Sequence, residues 1–398
     1  MTVTASASEF APAQARSGSG HALHVSVYRH IQEIDAGDWD CLLGPDDLQA
    51  THRFVKVCQD SGIEDAEYRH VLVRRGSVVE ATASFCCFRV ALDVLATGVT
   101  RNVLAAVRRL WPGALRIPVV FCGLPVSFGR SCLRFQAGVN RGEIIAALSN
   151  VAEQFASEMG AAVICFKEFD VVGSAALVPL VAHGYFRAPS LPGSRLALRW
   201  RTVDEFAAAM RASYRRQFLA TRRARDRHQL AVRTVDDWRG VASRVHELYT
   251  QVINRAEFKL ERLPPLFFER LADSMVESRA ILIERSGTLI ASAVILDGPA
   301  ESTFLLVGMD YGVALDVEAY HVLVDEVVAH AIAAGASAIE LGQTSYERKA
   351  RLGAVPTSRE LFLRCRAPAG HALLRLASGL LFPEVQVRAR RVFRDAHR

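Results

Sequence analysis

The stretch that most constrains this chain is RAILIERSGTLIASAVILDGPAESTFLLVGMD, residues 279–310. Three β-rich runs are punctuated by Ser286-Gly287 and Gly298-Pro299, which predicts a three-stranded meander. A long apolar helical pattern, VEAYHVLVDEVVAHAIAAG (317–335), follows and is stopped by Gly335. A short buried run, SAIELGQ, and a last strand, ELFLRCR, complete the series. Strands in series, then a helix, then another buried strand require an α/β (α+β) fold with mixed sheets.

The first half of the chain repeats that order. HVSVYR (24–29) predicts a strand, and helical patterns occupy about 36–44 and 50–61. Residues 68–92 hold two β-rich runs around Arg75-Gly76, the mark of a hairpin. A helix is expected over 100–111, then strand, Gly/Pro loop and strand over 115–135. GEIIAALSNVAEQFASEMG (142–160) is an amphipathic helix closed by Gly160, and AAVICFKEF (161–169) is a buried strand. A short helix over 174–184 and a strand, GSRLALRW (193–200), end this half. In the second half a helix starts near Val203, LAVRTV (230–235) is a strand, 238–256 is a helix, and another helix follows Pro264-Pro265. The halves share an order of elements rather than residues, so the expectation is two copies of one fold. The domains expected are a disordered leader (1–20), an N-terminal domain (21–200), a C-terminal domain (201–366) and a basic amphipathic tail (367–398). A chain of 398 residues is long enough for two cores of that size.

Composition excludes several classes. Eight cysteines are scattered with no CxxC pair and no zinc spacing, so no metal site is expected and the thiols suit a reducing, cytoplasmic compartment. There is no Walker loop, GxSxG elbow, HExxH or dinucleotide fingerprint. No apolar stretch reaches the length of a membrane span. The net charge of +6 is carried almost wholly by arginine, the lysines being Lys56, Lys167, Lys259 and Lys349. Two readings of that bias stand: the codon usage of a GC-rich bacterial genome, and guanidinium groups kept for phosphate. The basic residues are mostly dispersed and no helix-turn-helix stands out, so DNA is not an expected partner.

Three segments carry a resemblance to a known family. They are the basic helix SYRRQFLATRRARDRH (213–228), the run TFLLVGMDYG with its following helix, and IELGQTSYERKARLGA (339–354). Over residues 230–366 the order of elements resembles the GNAT acyltransferases, and more narrowly the Fem-type branch and the cellulose-biosynthesis-associated acetyltransferases. The resemblance implies tandem GNAT-like domains and an N-acyltransferase that moves an acyl group from an acyl-CoA-type thioester to an amine of a small-molecule or envelope-related acceptor. It implies no permanently bound cofactor, with acyl-CoA as co-substrate. In the family the strands matching FLLVGMD and IELGQ splay apart and the donor lies between them. On that resemblance the backbone of Leu306, Val307, Gly308 and Met309 pairs with the pantetheine arm, and Tyr320 and Gln343 line the same site.

One departure bears on the donor. The family's glycine-rich pyrophosphate loop is replaced here by DYGVALDVEAY, with Gly312 as its only glycine and the acids Asp316 and Glu318. Acids there repel a pyrophosphate. An aminoacyl-tRNA or an acyl carrier protein thioester therefore stands beside CoA as donor, and a non-catalytic binding protein that keeps the fold is a further reading.

The candidate chemical groups follow. Lys349 stands where the related branch keeps a lysine and would stabilise an oxyanion or phosphate; the plain alternative is a solvated helix lysine. Glu340, on an apolar strand, would have a raised pKa and act as general base, or would simply pair with an arginine. His321 is a base, a donor contact or a core histidine, and Tyr346 protonates a leaving group or packs in its loop. Asp310 and Tyr311 would orient donor or acceptor. Arg215, Arg216 and Arg222 share one broad helix face with Arg223 and Arg227 that would bind phosphates or simply be solvated, while Arg225 falls away on the side of Tyr214 and Phe218. The tail, broken at Pro383, packs on a domain, lies on an anionic membrane surface or mediates self-association.

Overall fold

The computed structural model describes residues 22–91, 116–126, 129–256 and 261–394. The expected leader and the helix over 100–111 lie outside these residues. The chain divides into two compact units. The first takes the described residues of Met1–Gly44, Gln49–Ser190 and Arg359–Glu384; the second takes those of Pro45–Leu48, Leu191–Ser358 and Val385–Arg398.

In the first unit β1 (Leu23–Tyr28), β2 (Glu67–Arg75), β3 (Val78–Ala91) and β4 (Arg116–Cys122) form an antiparallel meander. The short strand β5 (Arg134–Phe135) pairs with β3. β6 (Val163–Phe169) lies parallel to β4, and the late strand β13 (Val355–Cys365) flanks β6 antiparallel through Glu360–Cys365. Two short helices, α1 (Ala36–Asp40) and α2 (His52–Asp60), precede β2, and Asp35 and Thr51 cap them. The helix α3 (Arg141–Glu158) covers the sheet. Its Ile144, Leu148, Ala152 and Phe155 recur at helical spacing and are buried against Phe85, Phe166 and Phe362. It stops at Gly160, whose φ of +61° suits glycine. The expected helix over 174–184 is α4 (Val171–Ala176) followed by a 3-10 turn at Val178–His183.

The second unit has the same plan. β8 (Leu230–Val235), β9 (Ser278–Arg285), β10 (Thr288–Asp297) and β11 (Glu301–Met309) form the meander, β12 (Ala338–Glu340) lies parallel to β11, and β7 (Phe186–Ala197) flanks β12 antiparallel. Each unit thus closes its sheet with a strand from the other half of the sequence, and the fold is a tandem one. The helices of the second unit are α5 (Val203–Ala209), α6 (Ala212–Arg227), α7 (Ala242–Arg255), α8 (Pro265–Ser274), α9 (Ala319–Ala333) and α10 (Tyr346–Arg351). α9 is apolar nearly all round and buries Val322, Leu323, Val324, Val327, Val328 and Ile332. On the other face α7 packs on β11 at Gly308. A Cβ there would stand 2.7 Å from Leu248 Cβ and 2.8 Å from the Tyr249 nitrogen, so only glycine permits that approach.

The tail is α11 (Pro368–Leu376) and α12 (Ser378–Leu381) in the first unit, then an extended end in the second. There Val392 is buried, Phe393 packs tilted against Trp200 and edge-on to Phe206, and the Arg211 N–H donates to the Val392 carbonyl at 2.9 Å. Of the readings for the tail, packing on a domain therefore holds for its last described residues. None of the described helices is long and apolar enough to cross a membrane.

Candidate active site

The two strands expected to diverge share only a short pairing. β11 and β12 pair in parallel only at Glu301↔Ala338, Ser302↔Ile339 and Thr303↔Glu340. β12 then ends, while β11 runs on to Met309, held on its other edge by β10. Leu305 is an extra residue in the β10–β11 register, between the pairs Val294↔Leu306 and Ile295↔Phe304, and such a bulge bends and twists a strand. The sequence-based strand over 337–343 is therefore corrected: it stops at Glu340. The reason is local. Gly342 adopts φ +72°, Thr344 and Ser345 are left-handed as well, and Glu340 Oε1 accepts from the Gly342 N–H at 3.1 Å, folding the chain back on itself.

That turn is stitched to β7. The Leu341 N–H donates to the Ser194 carbonyl at 2.8 Å and the Ser194 N–H to Glu340 Oε1 at 2.8 Å. Gln343 Nε2 donates to the Leu191 carbonyl at 2.8 Å and the Tyr346 hydroxyl to the Pro192 carbonyl at 3.0 Å. Gly193 has no room for a side chain, since a Cβ would lie 3.0 Å from Glu340 Oε1. Glu340, Gln343 and Tyr346 are thus brought together, each with a polar atom committed to backbone.

Lys349 lies on α10 and is only 3% exposed. It is no solvated lysine. Its Nζ donates to the carbonyls of Gly342 (3.1 Å) and Gln343 (2.8 Å), just past the end of β12. A Cβ on Gly342 would be 3.8 Å from the Phe304 carbonyl, the first residue of β11 beyond the pairing. Lys349 is therefore rooted at the fork of the two strands. Burial pushes its ammonium down to about 7, and only the Glu340 charge opposes that.

The neighbouring residue, Arg348, is also buried and pairs closely with the buried Asp325 of α9. It further donates to the His321 carbonyl at 3.3 Å and to Thr221 Oγ1 at 3.4 Å. Burial raises the Asp325 carboxyl to about 7 against the pull of Arg348, and Arg222 also acts on it. This pair, which ties α10 to α9, was not singled out from the sequence. Its signals were the lone Asp325 in the apolar run HVLVDEVV and Arg348 beside the scarce lysine.

The remaining candidates divide. Burial pushes the Tyr320 phenol up, with Ser345 acting against it, and burial also raises Tyr346. His321 is part-exposed, 3.6 Å from Glu318, and burial and Arg348 lower its imidazole. Its backbone, rather than its ring, meets Arg348. Asp310 and Tyr311 turn toward α7. Asp310 Oδ1 accepts from the Gly312 N–H at 3.0 Å, Arg244 lies 3.6 Å from Oδ2, and Arg255 stacks 4.0 Å over the Tyr311 ring. On α6, Arg216, Arg223 and Arg227 are exposed, Arg215 and Arg222 are half-buried, and Arg225 turns to Glu326 at 2.7 Å. The loop before α9 carries no glycine-rich cradle for a pyrophosphate. Asp316 and Glu318 are exposed in it, and the Gly312 N–H is taken by Asp310.

A meander whose last strand outruns its pairing with a parallel neighbour, with a helix between the two, is the arrangement of the GNAT fold. Residues 208–350 match the family model for the acetyltransferase (GNAT) domain. The matched residues lie in the second unit, and the fold of the chain, two units of one plan, is similar to that of FemX. Among solved structures, FemX is similar over 87% of this chain and 98% of its own, at 14% identity and a TM-score of 0.54. A conserved protein of unknown function from Bacteroides thetaiotaomicron matches over 84% of this chain and 98% of its own, at 9% identity and a TM-score of 0.50. A tandem GNAT protein from the clavulanic acid biosynthesis pathway matches over 87% and 99%, at 14% identity and a TM-score of 0.49. No curated protein matches the sequence.

Proposed function

We propose that the chain is a cytoplasmic N-acyltransferase that uses the fork between β11 and β12 as its donor site. The observation that carries this reading is the fork itself, with Lys349 buried at its root. An extended thioester arm laid along residues 304–309 would meet backbone groups that β12 does not pair. N–H groups on that edge would serve the oxyanion that forms as the amine attacks the carbonyl.

Lys349 supplies the proton chemistry in this reading. A neutral amine keeps two protons, enough for the Gly342 and Gln343 carbonyls, and one lone pair. That lone pair takes the proton lost by the attacking amine as the C–N bond forms and the thioester C–S bond breaks. The resulting ammonium has a third proton to return to the leaving thiolate. A pKa near 7 suits both directions. Arg348 and Asp325 position α10, and Glu340 holds the turn that Lys349 donates to.

The test is turnover of acetyl-CoA against a panel of amines, with CoA binding read by thermal shift. Stabilisation by CoA and loss of turnover in Lys349→Met support the reading; an unchanged rate in that variant ends it. A second donor, aminoacyl-tRNA, is favoured by Asp316 and Glu318 standing where a pyrophosphate loop would be, and by the exposed Arg216, Arg223 and Arg227. RNase-sensitive transfer, without stabilisation by CoA, would select it. The acceptor in either case is an amine of a small or envelope-related molecule.

A further inference from the structure

In the first unit α11 buries no residue. A nine-residue helix is marginal in water without packing, and α11 is held to the unit through His371, whose ring lies 5.6 Å from that of Phe186. Two of the three leucines of α11 face solvent: Leu373 is 67% exposed and Leu376 is 87% exposed, while Leu374 is half-buried, and Leu380 of α12 is 59% exposed. Ala377 between the helices keeps helical backbone, so the three exposed leucines, at spacing i, i+3 and i+7, form one apolar stripe.

Beside the stripe lies a cleft of about 730 Å³, lined by Arg364, Arg366, His371, Arg375 and Leu376. Arg364 and Arg366 share one carboxylate, Glu153, at 3.1 Å and 3.4 Å. Arg375 has no carboxylate partner among the described residues. His371 is fixed by the Cys365 N–H, which donates to Nδ1 at 3.2 Å. The cleft therefore carries an excess of positive charge directly against exposed leucine side chains.

We propose that this face docks on an anionic lipid bilayer. Leu373, Leu376 and Leu380 enter the boundary between headgroups and acyl chains, and Arg366 and Arg375 hold a lipid phosphate in the cleft. A second copy of the chain is the poorer occupant. A twofold contact on this stripe would bring the same arginines together across the axis.

The test is flotation of the full chain with vesicles of phosphatidylcholine alone and of phosphatidylcholine with phosphatidylglycerol. The expected result is recovery with the phosphatidylglycerol vesicles only, weakened by high salt. Arg375→Glu should weaken it about tenfold, and Leu376→Asp with Leu380→Asp should abolish it. Both leucines are exposed, so the double variant should keep the wild-type melting temperature, which separates lost docking from unfolding. No recovery with phosphatidylglycerol vesicles overturns the proposal, as does equal recovery of the double variant. So does stabilisation by inorganic phosphate without vesicle binding, or concentration-dependent dimerisation that the same substitutions remove.

Discussion

The two units contain the same strand pair in different states. In the first, β4 and β6 stay in register from Val119↔Val163 to Cys122↔Phe166, where β4 ends. In the second, β11 and β12 part after Thr303↔Glu340, and β11 continues for six residues. The difference is made by small things. Leu305 bulges, Gly342 turns at positive φ, and Glu340 folds its carboxylate back to that turn. Each unit has a buried lysine near the end of its second parallel strand, but their surroundings differ. Lys167 extends along Gly123 and lies 5.5 Å from the Phe121 ring, whereas Lys349 donates to two carbonyls at an open fork. One plan thus yields two endings: in the first unit β4 stops where its pairing with β6 stops, and in the second β11 runs on and leaves six residues of strand edge for an extended ligand.

The pair of lysines gives the largest expected contrast. Lys349→Met should lower kcat/KM by about 10²–10⁴, while Lys167→Met should leave it near wild type in whatever fraction folds. Equal losses in steady-state assays would break the distinction between the units. The pH profile sharpens it. If the neutral amine of Lys349 is the working form, kcat/KM rises with pH through about 7 and then levels. Stability follows the same group. Its folded pKa lies below the ordinary lysine value of 10.5, so the unfolded chain binds more protons between those values, and Lys349 makes stability rise with pH across that window. Urea melts at several pH values should show this slope reduced in Lys349→Met.

The next effects are on stability. Asp325→Ala leaves Arg348 buried without its carboxylate and should cost about 3–5 kcal/mol, seen as a lower urea midpoint. Gly308→Ala forces a methyl toward Leu248 and the Tyr249 backbone and should cost about 1–3 kcal/mol. Smallest of all, Arg216→Ala and Arg223→Ala, both exposed, should shift stability within about 0.5 kcal/mol. A large loss of transfer in those two, with the fold intact, would point to a phosphate-rich donor.

What was legible in the sequence was what local chemistry decides. The turns at Arg75-Gly76 and Ser286-Gly287 declare themselves by residue type, and the hairpins sit where those pairs place them. The helices over 141–158 and 319–333 declare themselves by spacing. β7 begins at Phe186, seven residues before the expected strand, and runs through Pro189 and Pro192, residues that a strand pattern disfavours. β13 begins at Val355, five residues before the expected ELFLRCR run. The end of β12 at Glu340 depends on a side chain bonding its own turn. The Arg348–Asp325 pair depends on the packing of α10 against α9. Neither leaves a periodic trace. Lys349 was found by scarcity and context, but its burial comes from helix α10, which the pattern SYERK did not announce.

Hydrogen–deuterium exchange with and without acetyl-CoA tests the donor site most directly. The account predicts that CoA slows exchange in peptides spanning 304–309 and 341–349 and leaves 119–122 and 163–166 unchanged. Protection at the β4–β6 pair, or none along β11, would contradict it.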